Sequence, residues 1–242
     1  MWIIFKKEVQ TFFSSLMAYV VIGFYLVVTG MMLWVFPDYS ILEFPYASLE
    51  PYFNLAPYLL AMLIPAITMR SFAEEIQQGT FELLLTKPIT LHQLIGGKYL
   101  ANLFLVLLTI LPSLVYYFSL KSLAASPSSL DHGEILMAYF ALFLLAALFT
   151  AGGVFSSALT SNQIVAFLIG VIICFILHFV FPLLSKLPAL FGGFDYLLVQ
   201  FGSEYHYQSL SRGVLDFKDA IYFSTWIILF LMWTNYILDK KR

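Results

Sequence analysis

The sequence predicts an all-helical, polytopic membrane protein, and three observations carry that prediction. Of 242 residues, 61% are hydrophobic and 11% charged, whereas soluble domains hold about 45–50% and about 25%. Six windows reach the roughly 20 apolar residues that cross a hydrocarbon core of about 30 Å, and none of the six contains Asp, Glu, Lys or Arg. Between them no stretch is long enough for a core of its own, so residues 1–242 read as a single transmembrane domain. The lone Cys174 excludes an internal disulfide framework and a multi-cysteine metal site. The net charge of −2 implies no nucleic acid or other polyanionic partner.

Residues 1–15 come before the first window and show helical periodicity. Trp2, Phe5, Val9 and Phe12 fall on one face and Lys7, Gln10 and Ser14 on the other, the pattern of an interfacial helix with its basic side toward anionic lipid. The spans follow at 16–36, 52–69, 99–120, 135–158, 164–184 and 220–238. The first is too long for a signal-peptide core, lacks a small-residue cleavage pattern and precedes five more. Pro57 and Pro65 predict a kinked or tilted second span, and Pro112 falls near the middle of the third. Spans four and five join through a minimal loop near Thr160 and Gln163.

Six crossings place both termini on one side. Eight basic residues (Lys6, Lys7, Arg70, Lys87, Lys98, Lys240, Lys241 and Arg242) then flank the inner ends, against four (Lys121, Lys186, Arg212 and Lys218) outside. That bias predicts an inner-membrane protein with cytoplasmic termini.

The inner loop at 70–98 predicts three short helices. Ser71 with Glu74 has the spacing of a capping box, and Gly79 is suited to stop that helix in a left-handed conformation. Thr80 is expected to cap a second helix, with Glu82 in its first turn and Pro88 closing it off. Pro88 also pushes Lys87 out of helical geometry. Thr90 and Gln93 make another capping box, whose helix runs through Gly96, Gly97 and Lys98 into span three. Phe81, Leu84 and Leu85 are expected to present an apolar surface to a partner groove, with Glu82 at its edge. A pre-shaped knuckle of this length is more than a connection, since bundle connections usually take about 2–8 residues. The outer segment at 185–219 is also long; its first part, through residues 190–201, is too apolar for a solvated loop and too short to span, which predicts re-entrant or interfacial helices.

Several chemistries are excluded by pattern. The chain lacks a phosphate loop, H-E-x-x-H and G-x-S-x-G, so no nucleotide, metal or other cofactor site is expected and no catalytic residue is assigned. Glu204 and His206, two apart, do not share a helical face, and His178 in span five is expected to make a helix–helix hydrogen bond. Uncharged spans argue against an ion-coupled carrier, which commonly keeps ionisable groups at membrane depth.

The pattern Arg70, Phe72, Glu74-Glu75, Gly79-Thr80-Phe81-Glu82-Leu83-Leu84-Leu85-Thr86 and Pro88, followed by Gly97-Lys98, resembles the cytoplasmic loop of type-2 ABC exporter permeases. The layout matches as well: an interfacial helix, six spans, a loop between spans two and three, and short helices between spans five and six. Residues 201–223, including Phe201-Gly202-Ser203-Glu204-Tyr205-His206-Tyr207 and Arg212-Gly213-Val214-Leu215-Asp216, are most similar to gliding-motility-associated permease subunits. The resemblance implies a separate nucleotide-binding ATPase and a second permease half, the same chain or a different one. It implies coupling to the ATPase through Glu74, Gly79, Thr80, Phe81, Glu82, Leu84, Leu85 and Pro88. It also implies an outer gate carrying Phe194, Tyr196, Phe201, Tyr205, His206 and Tyr207. Two alternatives stay open on sequence: an intramembrane enzyme acting on lipid or peptide, and a membrane scaffold that couples an ATPase to a partner protein without transport.

Overall fold

A computed structural model describes residues 1–37, 40–41, 48–86, 88–123, 130–186 and 194–241. Lys87 and residues 190–193 lie outside that set, as do the side chains of Leu85 and Phe194. Every regular element among the described residues is helical. In chain order they are α1 (Trp2–Ser14), α2 (Met17–Trp34), α3 (Glu50–Thr68), α4 (Arg70–Gln77), α5 (Thr80–Leu85), α6 (Leu91–Ile110) and α7 (Leu114–Leu123). There follow α8 (His132–Leu159), α9 (Gln163–Phe175), α10 (Phe181–Ser185), α11 (Phe194–Phe201), α12 (Ser203–Ser211) and α13 (Phe217–Lys240). Merged across short breaks, they give six helices long and apolar enough to cross a membrane among the described residues. The protein is a multi-pass membrane protein.

The fourth span, α8, is the axis of the bundle, with α3, α6, α9, α12 and α13 packed around it. Its sequence explains why. Ala141, Ala146, Ala147, Ala151, Gly152, Gly153, Ser156, Ser157 and Ala158 keep the helix thin, and small residues let helices approach closely where no hydrophobic force drives them together. Gly153 is the extreme case, since a Cβ there would overlap the Thr68 side chain of α3. Asp131 starts this helix by accepting hydrogen bonds from the Gly133 and Glu134 amides at 2.9 and 3.1 Å. At the other end Lys241 Nζ donates to the Ala158 carbonyl at 2.7 Å, satisfying one of the helix's last carbonyls.

The spans are interrupted, and each interruption described here brings a hydrogen-bond partner. Proline frees the carbonyl four residues before it. Pro57 therefore frees Phe53, whose carbonyl accepts from the Tyr207 hydroxyl of α12 at 2.8 Å. Although the sequence predicts a kink or tilt at its prolines, α3 continues through both Pro57 and Pro65 and is interrupted at Met69, before α4 continues it. Between α6 and α7, Pro112 sits in a 3₁₀ turn from Leu111 to Ser113. There the Leu114 amide bonds to Leu111 and Pro112, and Ser113 Oγ donates to the Ile110 carbonyl at 2.7 Å.

That serine organises a polar cluster inside the membrane. With its one proton spent on Ile110, Ser113 Oγ accepts from the Tyr52 hydroxyl at 2.7 Å, and Tyr52 accepts from Tyr25 at 2.8 Å. Tyr139 donates to the Ser113 carbonyl at 3.1 Å, so spans one to four meet at a single point. Ser113→Ala removes the acceptor of the Tyr52 hydroxyl and a donor to the Ile110 carbonyl at once. Removing a partner from a buried polar group costs about 1–3 kcal/mol. We expect a loss of that size in detergent-titrated unfolding. Tyr52→Phe should be non-additive with it by about 0.5 kcal/mol or more, and strict additivity would contradict the cluster.

Candidate functional site

The loop between spans two and three folds as a knuckle at the end of the bundle that carries both chain termini. Two of its expected caps are corrected. Ser71 is not an N-cap, because α4 continues directly from α3; Ser71 is buried and its Oγ accepts from Asn102 Nδ2 at 2.9 Å. Glu74 accordingly does not reach back, and accepts from Gln78 Nε2 at 3.3 Å. Gly79 ends α4 with φ +69°, a left-handed conformation that suits glycine, and it also holds the N-cap position of α5. Thr80 is thus the first residue of α5, and its hydroxyl donates back to the Glu75 carbonyl at 3.3 Å. Thr90 and Gln93 form the expected capping box at the start of α6.

The orientation of α5 is the main correction. Phe81, expected to face a partner, is 4% exposed and packs inward against Phe72 with ring centroids 6.4 Å apart. Ile4, Leu94, Ile95, Val154, Ala158 and Leu238 complete this small core, which roots α5 to five other helices, α4 among them. The outward ridge consists of Glu82, Leu83 and Thr86, with Pro88 exposed beyond it and Leu84 half-buried. Leu83, 65% exposed, is the apolar residue of that ridge. Beside it a cavity of about 490 Å³, lined by Lys7, Arg70, Glu74, Thr80, Leu83 and Leu84 among others, separates the knuckle from α1.

A charge cluster missed in the sequence closes the floor of that cavity. Lys98, 2% exposed, donates to Glu8 of α1 at 3.0 Å and to Glu75 of α4 at 2.8 Å, and lies 5.3 Å from the Phe72 ring centre. One buried ammonium therefore joins α1, α4 and α6. The helix α1 reaches it because Gly97 is bare: a Cβ there would lie 2.9 Å from Ile4 Cβ and 3.0 Å from the Met1 carbonyl. The face that α1 turns inward is consequently Ile4 and Glu8, with Phe5, Val9 and Phe12 half-buried and Trp2 exposed at its edge.

At the opposite end, α11 and α12 form the helical pair expected of the outer segment. Phe194 opens α11, and Tyr196, Phe201 and Tyr205 are exposed, whereas His206 and Tyr207 are buried. His206 Nδ1 lies 2.6 Å from Asp219 Oδ1 of α13, and Nε2 lies 2.9 Å from the Gln200 carbonyl, so its imidazole bridges α11, α12 and α13. Its ring stacks on Tyr222 at 4.0 Å, and the Tyr222 hydroxyl donates to the Phe201 carbonyl at 2.6 Å. Glu204 turns away and accepts from Gln208. Burial pushes the Glu204 carboxyl above its ordinary range, opposed by the Lys186 ammonium. His178, within a π-turn from Ile176 to Val180, meets Ser203 Oγ at 3.0 Å, a helix–helix bond of the kind expected.

A family model described as ABC-2 family transporter protein matches residues 2–241. The chain belongs to the ABC-2 transporter family. A search of curated proteins returns no match. For this ABC-2 family member the match spans both the knuckle and the outer helical pair, and it identifies a membrane transport subunit that family membership pairs with an ATPase.

The integrity of the transporter's knuckle end should depend on Lys98. Removing one partner from a buried ion pair costs about 3–5 kcal/mol, because the other charge is left uncompensated. Lys98→Met should therefore lower unfolding stability by about 3 kcal/mol and open α1 to proteolysis. Adding Glu8→Gln and Glu75→Gln should recover part of the loss. Full stability of the single variant would show that the cluster does not hold the knuckle.

Proposed function

We propose that this chain is the permease subunit of an ATP-driven exporter in a bacterial inner membrane, with both termini cytoplasmic. A separate nucleotide-binding subunit docks on the outward ridge of α5, and two permease halves, identical or different, complete the transporter. The group it most resembles in its outer segment is the gliding-motility-associated permeases, and we assign it there. The observation that carries the reading is the build of α5. A six-residue helix is set off by a left-handed glycine, rooted by Phe81 and left with Leu83 and Glu82 facing away from the bundle. Nothing in the bundle's own packing needs such a ridge. The excess of basic residues at the knuckle end supports its cytoplasmic placement.

In this scheme Phe81 holds the coupling helix and Leu83 touches the ATPase. Glu74, Gly79, Thr80, Leu84, Leu85 and Pro88 shape the coupling loop, while α11 and α12 gate the far side through Phe194, Tyr196, Phe201, Tyr205, His206 and Tyr207. Leu83→Asp should reduce recovery of the co-expressed ATPase about tenfold, equivalent to about 1.4 kcal/mol, at unchanged permease stability. Phe81→Ala should lower both recovery and stability. Undiminished recovery with Leu83→Asp would refute docking on this ridge.

Orientation can be read by thiol labelling. Cys174 is fully buried, so Cys174→Ala provides a silent background. Gln78→Cys should label only after permeabilisation and Gln208→Cys in intact spheroplasts. The reverse pattern would invert the topology.

A further inference from the structure

The interruption between α3 and α4 is built by a side chain from another span. In a regular α-helix the Ala73 amide would bond the Met69 carbonyl directly. Here Ser157 of α8 stands between them. Its Oγ accepts from the Phe72 amide at 2.9 Å and the Ala73 amide at 3.1 Å, and donates to the Met69 carbonyl at 2.9 Å. A serine hydroxyl has one proton and two lone pairs, so this one is saturated, and it is 0% exposed. A side chain inserted into the helical ladder is a recognised cause of helix bending.

The neighbouring residues weaken the same stretch further. Pro65 has no amide proton to give, and Thr68 Oγ1 bonds back to the Ile64 carbonyl at 2.9 Å, a pattern that bends helices. One turn before Ser157 on α8 lies Gly153, bare against Thr68. Beyond the break, α4 is fastened to α6 by Asn102 and Lys98 and, through Lys98, to α1. The knuckle, α1 and the start of α6 thus form one body. The seam between that body and span two passes through Met69.

We infer that Ser157 is a positioning residue for energy coupling, its hydroxyl the pivot on which the knuckle turns relative to spans two and four. The inference rests on the coupling role proposed above for α5. A hydroxyl can exchange its three bonds as the angle changes, keeping the freed backbone groups satisfied, which a closed ladder cannot do. Without it, the Ala73 amide closes on Met69 and the joint stiffens.

The test uses the full chain in lipid nanodiscs with Cys174→Ala and spin labels at Gln78 and Ser161, alone and with its ATPase. Nucleotide should shift the label separation in the wild type. S157A should retain the ATPase and lose that shift, with a single narrowed distribution, and S157T should restore it. If S157A does not insert, S157T against S157V isolates the hydroxyl at constant shape. A nucleotide-driven shift in S157A equal to wild type overturns the inference. A wild-type chain that recovers no ATPase contradicts the coupling reading instead. In that case the chain alone decides about Ser157: a narrowed distribution in S157A supports the pivot, and an unchanged one refutes it.

Discussion

Hydrocarbon offers no hydrogen bonds, so every break in a spanning helix has to bring its own partner. Much of the shape of this protein follows from how that requirement is met. Pro57 frees a carbonyl, and Tyr207 reaches across from the outer helices to take it up. Pro112 breaks span three, and Ser113 both caps the Ile110 carbonyl in the 3₁₀ turn and gathers Tyr52 and Tyr139 around it. Span two is interrupted at Met69, and Ser157 bridges the gap. Each repair ties a broken helix to a neighbour, so the weak points of the spans are also the joints between them.

These joints sit where the proposed cycle requires bending. The Met69 joint lies between membrane and knuckle, and the Tyr207 bond links span two to the outer helices. Span two is therefore held near one end by Ser157 of the thin central helix α8 and near the other by Tyr207 of the outer helices. The two ends are secured by different chemistry. At the knuckle, a buried ammonium shared by Glu8 and Glu75 locks three helices into one body. At the outer face, His206 bridges Gln200 and Asp219 with its two ring nitrogens.

Much of this was legible in the sequence. Charge-free windows located the spans, because a charge in hydrocarbon is costly whatever the tertiary context. Gly79 and the Thr90–Gln93 box were readable because a left-handed residue and a reciprocal cap are local events. Ser71 and Glu74 misled for an equally physical reason. Their spacing signals a helix start only if the preceding backbone is not already helical, and here span two continues into α4, while Ser157 satisfies the amides a cap would have served. The direction of Phe81 was not readable, since a six-residue helix has too little periodicity to define a face, and its orientation is set by Phe72, Ile4 and Leu94 from three other helices. Lys98 read as one more flanking positive charge because its partners lie 90 and 23 residues away. The tyrosine cluster was not legible, because which hydroxyls meet depends on how spans one to four pack.

The central claim is that the outward ridge of α5, supported by Phe81 and Lys98, is where energy enters the membrane domain. Hydrogen–deuterium exchange of the full chain in nanodiscs, with and without its ATPase, addresses it directly. The account predicts protection concentrated at residues 78–86 on binding, with α11 and α12 unchanged until nucleotide is added. Protection at the outer helices or along the lipid-facing spans, with residues 78–86 unaffected, would contradict it.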